Sequence, residues 1–123
     1  MIDAEAWRGA RAHIQVSDPW DVYELFPDGR AAVRLIDRLP ARGGDRPELL
    51  LALLEEPVLW SGREYLHLTV ADRSDASITS TMTPGQLIAV TCRGLAEDVA
   101  AEWVRAHDAW RGGLTLVGSF GLD

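Results

Sequence analysis

Glu48-Leu49-Leu50-Leu51-Ala52-Leu53-Leu54-Glu55-Glu56 is the stretch on which the fold turns. Two structures compete for it. Asp45 with Glu48 has the spacing of a capping box ahead of a leucine-rich helix. Against the helix, Pro57-Val58-Leu59-Trp60 carries the apolar run onward, and Ser61-Gly62-Arg63-Glu64 then breaks it as a hairpin does. An apolar run of this length suits a strand covered on both faces, so Leu49 to Leu54 is read as one.

Downstream, Tyr65 to Asp72 alternates. Leu66, Leu68 and Val70 share one face, and His67 lies on the other with Tyr65 and Thr69. Ser74 to Gly85 is rich in hydroxyls and reads as a loop or a weak edge strand. Gln86 to Arg93 reads as a strand with Ile88, Val90 and Cys92 on one face, broken by Gly94. Leu95, Val99, Trp103, Ala106 and Trp110 then recur at helical spacing. Glu97 and Asp98 sit in the first turn, where the helix dipole favours negative charge, and Gly112-Gly113 is the stop. A helix over Leu95 to Arg111 and a last strand over Leu114 to Phe120 follow.

Upstream, Gly29 to Leu39 reads as a strand with Ala31, Val33, Leu35 and Leu39 on one face. The Phe26-Pro27-Asp28-Gly29-Arg30 turn leads into it, because Pro presets φ and Gly tolerates φ > 0. Val22 to Phe26 is a short strand before that turn, and Asp18-Pro19-Trp20-Asp21 is a turn. His13 to Ser17 alternates as a half-buried strand. Asp3 to Ala12 could form a short helix capped by Asp3 and interrupted by Gly9. Ala41 to Pro47 is a loop.

The fold class expected is therefore α+β and β-dominated. It is a small curved antiparallel sheet or barrel with one C-terminal helix packed on it, over a single domain of residues 1–123. The runner-up is an open α+β sandwich with a second helix at Asp45 to Glu56.

Composition narrows the function classes. The chain has 47% hydrophobic residues, one cysteine and a net charge of −7. No apolar run approaches the roughly 18 residues of a membrane helix. Met1 to Glu5 lacks the basic start of a signal peptide. A lone Cys92 forms no internal disulfide and suits a reducing cytoplasm. The negative charge repels a phosphate backbone, which argues against nucleic-acid binding.

No pair among His13, His67 and His107 has metal-ligand spacing, so no metal or other cofactor is expected. Carboxylate pairs such as Asp18/Asp21, Glu55/Glu56, Asp72/Asp75 and Glu97/Asp98 lie at turns or helix starts, where acids occur for structural reasons. No residue is assigned a catalytic role.

All basic residues are Arg. Arg30, Arg34 and Arg38 recur every fourth residue, and Arg42 and Arg46 follow. Spacing of four puts the first three on one side of either a strand or a helix. Five Arg against two Asp between positions 30 and 46 make this segment positive in an acidic chain. Such a stripe suits an anionic group.

The candidate binding residues are Arg30, Arg34, Arg38, His67 and Tyr65. The function expected is a non-enzymatic cytoplasmic binding or regulatory domain acting through a protein partner, in the manner of an immunity-type inhibitor, with room for homo-oligomerisation. One alternative is a small pocket enzyme, an isomerase or cyclase, using His67 with Asp72 or Glu64. Another is a sensor of an anionic ligand using the arginine stripe.

Overall fold

A computed structural model describes residues 7–18, 26, 28–42, 47–60, 62–74, 77–95, 99, 103 and 114–123. They form six strands and one short helix: β1 (Arg11–Asp18), β2 (Arg30–Leu39), β3 (Leu49–Trp60), β4 (Arg63–Asp72), α1 (Ile78–Thr81), β5 (Ile88–Leu95) and β6 (Thr115–Leu122). Each strand pairs antiparallel with the next, and β6 returns to β1 through Ala12↔Leu122 and Ile14↔Phe120, closing a barrel. Closure leaves no strand of the barrel wall as a free edge.

Leu49 to Leu54 is the strand its composition demands, and it is buried on both faces. Leu50, Ala52 and Leu54 point into the barrel. Leu49 and Leu51 point outward and are covered by Trp103, Leu95 and Val99. The competing helix at Asp45 to Glu56 is thereby excluded for its described part. Gly62, at φ 78°, makes the tight reversal that pairs Trp60 with Arg63.

A six-stranded barrel has a narrow bore, so its inward positions must mix large and small side chains. Phe120, Ile14, Leu35, Leu50, Leu68 and Leu116 fill it, and Ala12, Ala31 and Ala52 make room between them. Ile78 of α1 is fully buried at one end of the bore. That end carries the starts of β1, β3 and β5 and the ends of β2, β4 and β6. No helix among the described residues is long and apolar enough to cross a membrane.

Several expectations are corrected. The α+β class gives way to a mostly β one: 65% of the described residues lie in strands and 6% are helical. No C-terminal helix stands as an element among them; of its expected span only Val99 and Trp103 are described, both helical and both against the outward side chains of β3. The helix expected over Leu95 to Arg111 is wrong at its start, because Leu95 is held in β5 by pairing with His67. Residues 96–98, 100–102 and 104–113 lie outside the described residues. Strand β5 runs through Gly94 instead of stopping there, since a glycine is required where the Tyr65 ring lies against its backbone. Trp7 to Gly9 is a turn and Ala12 is in β1, so no helix reaches Ala12. The described part of the hydroxyl-rich segment is a loop rather than an edge strand, with the four residues of α1 set into it. The turn at 19–21 and the strand at 22–25 fall outside the described residues.

Candidate functional site

The arginine stripe is decided by one residue. Up to Leu35, β2 alternates strictly: Ala31, Val33 and Leu35 face the bore, and Arg30, Ala32 and Arg34 face out. The register against β3 then shifts between Leu35↔Ala52 and Asp37↔Leu51. Ile36 is the extra residue of this β-bulge. Beyond it, Asp37 and Leu39 oppose the outward Leu51 and Leu49, and Arg38 opposes the inward Leu50. Arg38 therefore leaves the face of Arg30 and Arg34.

Arg38 instead meets Glu48 at the end of the barrel. The Arg38 Nε donates to Glu48 Oε2. The carboxylate is only 2% exposed. It also accepts the Thr79 backbone N–H at 2.8 Å, the Thr79 hydroxyl at 2.8 Å and the Ser77 hydroxyl at 3.2 Å. Burial pulls the Glu48 pKa up, but the Thr79 N–H, the Arg38 guanidinium and the Thr79 hydroxyl outweigh it and hold the carboxyl below its usual range. The Ser77 side chain makes no cap bond to α1, so Glu48 satisfies a donor in the first turn of α1 from outside. This cluster is a structural tie that seats Ile78 in the bore.

The outward arginines lie on a different surface. Register places Arg11 of β1 directly opposite Arg34, and Gln15 opposite Arg30. Arg34 Nη1 donates to the Gly9 carbonyl at 3.3 Å. Arg30 lies 3.9 Å from Asp123, which also accepts from or pairs with His13 Nδ1 at 2.7 Å. Arg11 reaches Glu55 of β3 at 3.4 Å. These guanidinium groups are exposed, and their contacts at the surface are individually weak. Arg11 is a site residue that the sequence alone conceals, because only the β1–β2 register brings it beside Arg34.

Tyr65 and His67 do not share a pocket. Tyr65 turns inward and packs on Gly94, while Leu66 is 40% exposed. The cause is the irregularity in the β3–β4 pairing between Leu53 and Val58, which holds Pro57, a residue without an N–H for the ladder. His67 keeps the outward parity of Thr69, opposite Leu53 and Leu95. Burial lowers its pKa, and its Nδ1 has no hydrogen-bond partner among the described residues.

An acid–base pair needs the carboxylate within about 3 Å of the imidazole. Asp72 lies five strand positions away, about 16 Å at the rise of a strand. It is turned to the barrel end, where its Oδ1 accepts the Ser74 N–H and hydroxyl. Glu64 lies about 10 Å away on the same measure, exposed beside the hairpin.

Cys92 faces the bore, and burial pushes its thiol up to about 12. A thiol so buried is no nucleophile. Among the described residues no group of His, Cys, Asp or Glu could hold a metal ion. An open cleft at the α1 end is lined by Asp72, Arg73, Ser74, Gln86, Leu87, Ile88 and Ala89. No family model, no curated protein and no solved structure matches this chain.

Proposed function

We propose that the chain is a non-enzymatic binding domain acting through a protein partner, docked on the outer face of β1 and β2. Arg11, Arg30 and Arg34 are the anchors, and the partner presents carboxylates to them. The observation that supports this is the exposure of three guanidinium groups on one wall of a barrel whose bore is filled by its own side chains. A planar guanidinium binds a carboxylate through two parallel hydrogen bonds, so a row of them favours an acidic protein surface. Steering by that row also acts against the repulsion of an acidic chain. A reducing cytoplasm fits the single buried cysteine.

Ala32 is exposed between Arg30 and Arg34, which makes it the position to test. A photo-crosslinking residue placed there in the native host should give a discrete adduct. The double reversal Arg30→Glu with Arg34→Glu should abolish it and leave the melting temperature nearly unchanged. The same probe at Ala89, exposed on β5, is the control. Equal labelling from both positions, or an adduct insensitive to the reversal, overturns the reading.

A further inference from the structure

We propose that the partner of the arginine face is a second copy of this chain, docked through its β3–β4 hairpin. The inference rests on the preceding assignment of that face and names its occupant. Among the described residues three large apolar side chains are exposed, Leu59 at 70%, Leu66 at 40% and Leu87 at 60%. Two of them belong to one surface. Leu59 is directly opposite Glu64, and Glu64 and Leu66 are two positions apart on β4, so all three project from the same side of the hairpin. Val58 and Tyr65 bury the other side against the core. Glu55 and Glu56 are exposed on the bulged part of β3 beside this surface. The hairpin thus presents an apolar pair with an acidic border.

The arginine face is its complement. Its charge is opposite, and the aliphatic stems of Arg11, Arg30 and Arg34, with Ala32 between them, supply an apolar floor for Leu59 and Leu66. The two surfaces adjoin within one chain, since Arg11 already reaches Glu55 at 3.4 Å. A two-fold axis near that ion pair lays the arginine face of each copy on the hairpin of the other. This is the self-complementary arrangement of a symmetric dimer. The groups the two surfaces offer each other are exposed side chains, so the contact is made by side chains.

The test is a charge exchange read by sedimentation equilibrium. The parent chain should be a dimer at micromolar concentration. Arg34→Glu and Glu64→Arg should each weaken the dimer by roughly tenfold to a hundredfold, as close interfacial charge pairs do. Mixing the two variants should restore it, because each reversed residue then meets its opposite across the interface. Restoration on mixing also proves that both variants are folded. A parent that stays monomeric up to about a hundred micromolar, or a dimer untouched by either reversal, overturns the inference. An Ala32 adduct with the mass of two chains supports it. A reversal-sensitive Ala32 adduct with a different protein overturns it while leaving the arginine face as a docking site.

Discussion

The two halves of β2 have the same alternating texture and opposite fates. Before Ile36, the outer face is open, and Arg30 and Arg34 stand in solvent with weak surface contacts. After Ile36, the outer face is closed: Ile36 and Leu39 pack against the cluster of Leu49, Leu51, Leu95 and Trp103, and Asp37 accepts the Trp103 indole N–H at 3.2 Å. The inward side changes as well, from the apolar Val33 and Leu35 to Arg38 on buried Glu48. One inserted residue thus separates a surface available for recognition from a tie that holds the fold. Residue type does not set the role of an arginine here; its parity against β3 does.

Breaking the covered half should have the largest effect. Trp103→Ala removes the indole that caps Leu49, Leu51 and Leu95, and should cost about 3–5 kcal/mol, the usual range for a buried tryptophan. A chemical denaturation midpoint equal to the parent's would show that this half is as open as the other.

Next comes the tie itself. Glu48→Ala strands the Thr79 N–H and hydroxyl and should cost about 2–3 kcal/mol. Its pH dependence sharpens the point. Because the folded pKa is held below the ordinary value of 4.5, the stabilisation is complete above 4.5 and is lost as pH falls through the lowered folded value. The stability gap between the parent and Glu48→Gln should therefore narrow as the solution is taken from about pH 7 to about pH 3. A gap constant over that range would remove the charged Glu48 from the account.

The two arginines make the direct comparison. Arg38→Ala should cost about 1–2 kcal/mol, because Glu48 keeps its Thr79 bonds and the Arg38 side chain is itself 42% exposed. Arg34→Ala should change stability by less than about 0.5 kcal/mol. Equal costs would mean that the bulge does not sort them.

His67 gives the smallest effect. Burial lowers its pKa from 6.5, so its contribution is complete above 6.5 and is lost as pH falls below it. His67→Leu should flatten the acid side of the stability profile between about pH 6.5 and 5, leaving the Glu48-dependent loss at lower pH in place. An unchanged slope in that window would show the ring to be as well solvated folded as unfolded.

The sequence by itself determined the elements whose signals are local. The unbroken apolar run of Leu49 to Leu54 in β3 required cover on both faces. The alternation of Ala31, Val33 and Leu35 set the inward side of β2, and Gly62 set a reversal. The surplus of arginine over acid in and after β2 is equally a property of the local sequence. These follow from period, turn geometry and charge within a few residues of one another.

What only the tertiary structure decided depends on partners far along the chain. Ile36 is an ordinary strand residue until β3 leaves it without an opposite number, and that separates Arg38 from Arg34. A four-residue helix has too few internal bonds to announce itself, and it is held by a carboxylate 31 residues away. Glu48 reads as a helix cap in its own segment and becomes one for another segment. The pairing of β6 with β1 joins residues 110 apart, as His13 and Asp123 show. Closure of that kind turns a row of strands into a barrel, and it puts the covered and open surfaces on opposite sides of a bulge that no local pattern marks.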